Sequence, residues 1–230
     1  KATRIIKESI KNKKVIKTVL FKRAQKEEEI IKIFQKVSTP NISDAMHRKG
    51  EIRNLLKITP EIKLIGKALT VRTYPGDWAK PVEAIDRAKE GEVIVIDAGG
   101  VEPAVWGELA THSALKKKLA GVVIDGAIRD IPEIIKLKFP AYAKIITPTA
   151  GEPRGFGEIG IPIRIGGITV LSGDWVVGDG DGIIVIPQNK AVEIANRAMD
   201  VLERENRIRE EIEEEGTLSS VIELLRWEKK

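Results

Sequence analysis

The sequence predicts an α/β domain built around a mixed sheet, and three observations predict it. Between residues 67 and 146, apolar β-type runs alternate with helical stretches, the pattern of a sheet with parallel pairing. From Ile161 to Ile186 short β runs are broken by Gly166-Gly167, Ser172-Gly173-Asp174 and Gly178-Asp179-Gly180-Asp181-Gly182, which reads as antiparallel hairpins. After Pro187 a long helix closes the pattern.

Taken in order, the chain opens on a basic segment. Residues 1–27 hold ten Lys/Arg against two Glu, and no clear period runs to about Thr18, so this part reads as an extension or linker ahead of a domain at 28–230. The chain does not begin with Met, which suits a piece of a longer polypeptide. The spacing predicts an amphipathic helix over Ala24–Val37 with Ile30, Ile31, Ile33 and Phe34 on its apolar side. Ser38-Thr39-Pro40-Asn41 breaks it, and Asn41 or Ser43 then caps a short helix through Met46. Lys67–Arg72 is a strand, Tyr74-Pro75-Gly76-Asp77 a turn, Lys80–Lys89 a helix and Glu92–Asp97 a strand. Val105–Leu119 reads as a helix, Gly121–Asp125 as a strand, Pro132–Lys136 as a short helix and Ala141–Ile146 as a strand. The long helix covers about Asn189–Glu214 and stops at Gly216, before a last helix over about Leu218–Trp227.

Composition removes several kinds of chemistry. With no cysteine there is no disulfide, thiol nucleophile or Cys-based metal site, and with only His47 and His112 there is no His-rich one. A metal would be held mainly by oxygen, which favours Mg²⁺ or Mn²⁺. No apolar run approaches a membrane span, and no apolar stretch follows the basic start as in a signal peptide, so a soluble cytoplasmic protein is expected. The net charge is +5 over the chain but +8 over residues 1–27, which leaves −3 for the rest. That balance argues against a nucleic-acid-binding core. Richness in Lys, Ile and Glu suggests a thermophilic source.

Several motifs have bland readings. Gly155-Phe-Gly-Glu-Ile-Gly160 matches a dinucleotide fingerprint by letter, but it precedes the β-like Ile161-Pro162-Ile163 instead of opening a helix, so a mobile or substrate-covering loop is preferred. Asp179-Gly-Asp181-Gly lacks the remaining ligands of a calcium loop and reads as a tight turn. His112, without a partnered acid or nucleophile in view, reads as structural.

One constellation carries more. Twenty residues separate Glu108 from Arg129, enough for one helix and one strand, so both ends can return to the same sheet edge. A helix start at Gly107-Glu108-Leu109-Ala110 offers backbone N–H groups to a carboxylate. Arg129 offers a planar fork of donors, and Asp130 and Glu108 offer hard oxygens to a metal or its waters. The same letters also fit a plain capping box, with Asp130 as N-cap, Pro132 early and Glu133 at the third helical position.

The sequence resembles the RraA-like family, which includes 4-hydroxy-4-methyl-2-oxoglutarate aldolases, oxaloacetate decarboxylases and regulators of ribonuclease activity. The resemblance runs through Ser43-Asp-Ala-Met, Gly91-Glu-Val-Ile-Val-Ile-Asp, Trp106-Gly-Glu-Leu, Val123-Ile-Asp-Gly-Ala-Ile-Arg-Asp-Ile-Pro-Glu133 and Gly173-Asp-Trp-Val-Val-Gly-Asp-Gly-Asp-Gly-Ile-Ile-Val-Ile-Pro187, covering about Ser38–Trp227. It implies a layered β/β/α, swivelling-domain-like fold with flanking N- and C-terminal helices. It also implies Asp130 as the ligand of Mg²⁺ or Mn²⁺ and Arg129 as the catalytic group on the pyruvyl C2 oxygen. The backbone of Gly107, Glu108, Leu109 and Ala110 becomes the substrate-carboxylate cradle. Glu108 stands where the aldolases often carry Asp, reaching the metal through water. The implied substrate is a small 2-oxo acid cleaved through a pyruvate enolate, in a homotrimer or hexamer whose neighbouring subunit supplies a further acidic group. Two alternatives come with the resemblance: a non-enzymatic regulator with a protein partner such as an RNA-processing enzyme, and an accessory domain of a sugar-phosphate enzyme.

Overall fold

The computed structural model describes residues 23–59 and 61–221, so the expectations for residues 1–22 and for the last helix beyond Val221 lie outside it. Helices α1 (Glu27–Phe34) and α2 (Thr39–Ala45) lead into the short strands β1 (Glu51–Ile52) and β2 (Leu56–Lys57). There follow β3 (Leu64–Thr73), α3 (Ala79–Arg87), β4 (Glu92–Asp97), β5 (Ala104–Trp106), α4 (Glu108–Lys116), β6 (Gly121–Ile128), α5 (Ile131–Lys136) and β7 (Ala141–Ile146). Strands β8 (Gly157–Ile159), β9 (Ile163–Ile165), β10 (Ile168–Val170), β11 (Trp175–Gly178) and β12 (Ile183–Ile186) precede the long helix α6 (Ala191–Glu215) and the turn of helix α7 (Leu218–Val221).

The main sheet runs in the order β1-β12-β11-β3-β4-β6-β7-β2, with β5 added beside β6 and β8 beside β3. Strands β3, β4, β6 and β7 are parallel to one another, whereas β11 and β8 join β3, and β2 joins β7, antiparallel. A parallel strand covered on both faces must be apolar throughout, and β4 shows why. Its Ile94 and Ile96 face a core shared with Ala84 and Ile85 of α3, Ala114 of α4 and Ile134 of α5. Val93 and Val95 face the other way, toward Ile163, Ile165 and Val170 of the separate β9–β10 hairpin. Alternation along β11 extends this division. Val176 joins the hairpin side, whereas Trp175 and Val177 pack with Ile30 and Phe34 of α1, Ile42 of α2 and Ala195 of α6. The result is a layered β/β/α domain, with a hairpin on one face of the main sheet and the helices on the other.

Local differences from the sequence reading have local causes. Val105 and Trp106 belong to a strand, not to the helix expected over Val105–Leu119, because β5 pairs in parallel with the end of β6. That pairing is a tertiary contact with no local signature. Ser38, not Asn41 or Ser43, is the N-cap of α2. Its side chain accepts from the Asn41 N–H while Asn41 accepts from the Ser38 N–H, a capping box in which Asn41 is the third helical residue. Ile31 is 42% exposed, so the buried stripe of α1 is Ile30, Ile33 and Phe34 alone. Arg23 and Ala24 are fastened to α6 through Asn196, and Arg23 also pairs with Asp200 and Glu203.

Candidate functional site

Strand pairing creates the site. With β5 parallel to β6, Trp106 stands opposite Ile128, and the Arg129 N–H donates to the Trp106 carbonyl at 3.0 Å. The chain therefore leaves both strands side by side, as Gly107 from one and Arg129-Asp130 from the other. Gly107 is the N-cap of α4, at φ −160° and ψ −160°, extended backbone open to any residue. Crowding is what reserves the place for glycine. A Cβ on residue 107 would lie 2.5 Å from Asp130 Oδ2 and 3.2 Å from Arg129 Cγ.

Asp130 has φ 60° and ψ 37°, the left-handed region that Asp tolerates better than most residues. It occupies the N-cap position of α5, yet its side chain makes no capping hydrogen bond. The Glu133 and Ile134 N–H groups donate to its backbone carbonyl instead, at 3.2 and 3.1 Å. The carboxylate turns to the neighbouring helix. Oδ2 accepts from the Glu108 N–H at 3.0 Å and lies 3.5 Å from Arg129 Nε. The capping-box reading of Asp130–Glu133 thus gives way to a carboxylate set at the positive end of α4, where the helix dipole favours an anion.

This pair borders a cavity of about 180 Å³ together with Gly107, Leu109 and Ala110. Trp78, Val82 and Ala150 supply another wall. That wall depends on Asp77, which the sequence places in a turn. Asp77 is buried, and its Oδ1 accepts from the N–H groups of Ala79, Arg154 and Gly155 while Oδ2 accepts from Phe156. Burial pushes its carboxyl up, but these four donors outweigh that and hold it below the usual Asp value. Trp78 Nε1 donates to the Gly151 carbonyl at 3.0 Å, and the Gly76 and Gly151 backbones are in such close contact that a Cβ on Gly151 would fall 1.7 Å from the Gly76 carbonyl oxygen. An aspartate two residues before a helix was the available signal. Its partners some 75 residues away were not foreseeable.

The other candidates fall as follows. Glu108 starts α4, and its carboxylate lies 3.0 Å from His112 Nε2, so His112 does have an acid partner one turn away. Neither Glu108 nor His112 lines the cavity wall described above. Among the described residues no three His, Asp or Glu side chains converge as a metal cage. Asp130 with Glu108 nearby still suits a hard cation that keeps most of its own waters, since Mg²⁺ commonly takes one or two carboxylates. The Gly155–Gly160 segment is not an open loop. Gly157–Ile159 pairs antiparallel with β3, and residues 154–156 are tied to Asp77. The Asp179–Gly182 turn is closed by the Asp179 N–H on the Gly182 carbonyl, and the Asp179 carboxylate accepts from the N–H and hydroxyl of Thr39 at the start of α2.

A family profile described as Aldolase/RraA, RraA-like, matches residues 39–185, a stretch that includes Gly107, Arg129, Asp130 and the Asp77 turn. The chain belongs to the RraA-like family. Among its relatives is an uncharacterized protein of Methanocaldococcus jannaschii, 37% identical over 84% of this chain and 93% of that one. Another, from Halalkalibacterium halodurans, carries the name "Putative 4-hydroxy-4-methyl-2-oxoglutarate aldolase" and is 35% identical over 76% of this chain and 84% of its own. Among solved structures, the RNA-processing inhibitor RraA from Thermus thermophilis superposes with a TM-score of 0.62 at 26% identity, over 66% of this chain and 94% of that one. The RraA-like fold thus accommodates both an aldolase name and an inhibitor name. No helix among the described residues is long and apolar enough to cross a membrane.

Proposed function

We propose that this protein is a divalent-metal-dependent lyase that releases pyruvate from small 2-oxo acids, by retro-aldol cleavage of 4-hydroxy-4-methyl-2-oxoglutarate-type substrates and by decarboxylation of oxaloacetate. One observation carries the reading. The Asp130 carboxylate is turned away from its own helix to stand beside Arg129 and the N-terminus of α4, at a cavity. A residue spent on helix capping would not be placed there.

Asp130, with Glu108 reaching through water, would hold Mg²⁺ or Mn²⁺. Once bound, that ion supplies Lewis-acid stabilisation of negative charge on the substrate oxygens. The rest falls to the chain itself. The Leu109 and Ala110 N–H groups have no partner within α4 and face no carbonyl of an earlier turn, so they suit the substrate carboxylate. The Arg129 guanidinium binds the 2-oxo oxygen and stabilises the charge that collects there as the C3–C4 bond breaks. In decarboxylation that bond's electrons move toward the 2-oxo oxygen, CO₂ leaves, and C3 takes a proton from water. Retro-aldol cleavage must also remove the C4 hydroxyl proton. Glu108, paired with His112 at 3.0 Å and set just outside the cavity lining, would act there only through a water that accepts that proton.

The test is pyruvate release from oxaloacetate, measured with Mg²⁺, with Mn²⁺ and with chelator, above the rate of metal alone. Asp130→Ala is expected to lower the protein-dependent rate at least about 100-fold, the usual scale for losing a positioned catalytic group. A folded Asp130→Ala protein with wild-type activity would refute the assignment. A second reading, a regulator that binds a protein partner, is favoured by the exposed Tyr74, Phe156 and Leu109, at 66%, 58% and 77%. The first two form an edge-to-face pair. Such a surface also suits the contacts of a homotrimer or hexamer. Retention of partner capture by the inactive Asp130→Ala protein would support that reading.

A further inference from the structure

Toward the far edge of the main sheet lies another cavity, of about 390 Å³, between the end of α2, strand β10 and the start of α6. Val185 of β12 lines it, and β12 is four strand positions from β6, roughly 19 Å, so this cleft is separate from the cavity at Asp130. Met46, Ile168 and Ile194 give it an apolar floor, and the more exposed Lys49, Lys190 and Arg197 give it a cationic rim. Among the described residues neither Lys49 nor Lys190 has an ion-pair partner. Arg197 has no acceptor atom, so it donates to both its neighbours, from Nη2 to His47 Nε2 at 2.8 Å and from Nη1 to Glu193 Oε1 at 3.4 Å. The guanidinium is thereby oriented and keeps N–H donors in reserve. Two carboxylates share the cleft without neutralising the rim. The Glu193 side chain is 64% exposed beside Arg197, and the buried Asp174 is turned to the backbone, accepting from the Leu171 and Gln188 N–H groups at 3.0 and 3.1 Å. The loop that brings in His47 and Lys49 has a costly shape. His47 and Arg48 stand at φ 55° and 61° after α2, where glycine is the usual residue, so basic side chains occupy places whose backbone favours none.

We propose that this cleft binds a small organic phosphate monoester, its phosphate held by Lys49, Lys190 and Arg197 and its apolar body laid on Met46, Ile168 and Ile194. A phosphate monoester carries a charge of about −1.5 to −2 at neutral pH and presents three strong acceptor oxygens, which suits two unpaired ammonium groups and an oriented guanidinium. A single carboxylate brings less charge and fewer acceptors to the same rim. The floor sets the other half of the ligand. Hydroxyl groups of a sugar would face Met46 and Ile168 without partners, whereas an aromatic or alkyl body gains contact there. Lys190 and Arg197 lie beyond residues 39–185, the stretch matched by the family profile, so the cleft extends outside what that profile describes. The proposal is independent of the chemistry at Arg129 and Asp130.

Calorimetric titration at neutral pH without added metal tests this, with phenyl phosphate and inorganic phosphate as probes. Phenyl phosphate is expected to bind at least about tenfold more tightly than inorganic phosphate, the gain of laying a ring on the apolar floor. Arg197→Gln, and Lys49→Gln combined with Lys190→Gln, should each weaken phenyl phosphate by about tenfold or more. Ile168→Ser should narrow the margin over inorganic phosphate, and Arg129→Gln should leave both affinities as they are. Circular dichroism checks that every variant folds. No saturation by phenyl phosphate up to about 10 mM would overturn the proposal. Equal affinity for the two probes would remove the apolar floor from it and overturn it as well. Loss of binding in Arg129→Gln but not in Arg197→Gln would move the anion to the cavity at Asp130 and leave the cleft without a ligand. Tighter binding of a 5′-phosphorylated ribo-oligonucleotide than of phenyl phosphate, again through Arg197, would overturn the small ligand in favour of an RNA end.

Discussion

Gly107→Ala separates the position of the Asp130 carboxylate from the stability of the fold. The added methyl would stand 2.5 Å from Asp130 Oδ2, and an ordinary contact begins at 3.4 Å, so the carboxylate must retreat by about 0.9 Å. Backbone strain does not enter, because φ at Gly107 is extended. Alanine is a poorer N-cap than glycine by under about 1 kcal/mol. Displacing Asp130 also forfeits the hydrogen bond from the Glu108 N–H, which is exposed and contributes about 1 kcal/mol. The melting temperature should therefore fall by only about 2–8 °C for a domain of this size. Activity should respond more sharply. A misplacement of about 1 Å in a catalytic constellation costs about 100-fold, or about 2.7 kcal/mol in the barrier. The assay is kcat/KM for pyruvate formation from oxaloacetate at saturating Mg²⁺, with thermal melts on the same samples. Activity within threefold of wild type would show that the position of Asp130 against α4 does not matter to the chemistry.

Two further predictions concern the wall opposite the strand ends. Asp77→Asn puts an amide N–H₂ where a carboxylate oxygen now accepts backbone donors, and should destabilise by about 2–3 kcal/mol in urea unfolding at neutral pH. Because the folded Asp77 titrates below its unfolded value of about 3.9, its contribution is complete above that pH and disappears as pH falls through the folded value. The stability gap between wild type and variant should be flat from about pH 8 to 5 and narrow as pH falls below about 4, and a gap that does not narrow there would contradict the account. Gly151→Ala drives a methyl to within 1.7 Å of the Gly76 carbonyl oxygen and should cost about 1–3 kcal/mol by overpacking. An unaltered melting temperature would mean that this backbone seam is slack.

The sequence was informative where a signal is local. Glu92–Asp97 is a strand to the residue, because an apolar run of that length follows Gly91 in a left-handed conformation and can only be satisfied with both faces covered. Gly216, at φ 95°, ends α6 where the glycine signal placed the stop. Strand β5 escaped notice because Ala-Val-Trp before a glycine looks like the lead-in to a helix, and only its pairing with β6 decides otherwise. At the site, the spacing from Glu108 to Arg129 foretold that two chain segments return to one edge. Whether Asp130 would cap its own helix or turn to its neighbour hung on one backbone angle that the letters leave open. Asp77 and Trp78 lay further out of reach, since their meaning comes from residues 151–156.

The left-handed backbone at residue 130 also decides which sequences can inherit this site. Glutamate is the nearest chemical substitute for aspartate, but it would have to adopt φ near 60° at a cost of about 1–2 kcal/mol and carry its carboxylate one methylene beyond the Glu108 N–H. Asparagine and glycine accept the backbone and abandon the charge. On the proposed reading, then, no substitution at residue 130 grades the metal site gently: aspartate keeps both the loop and the charge, and every replacement gives up one of them.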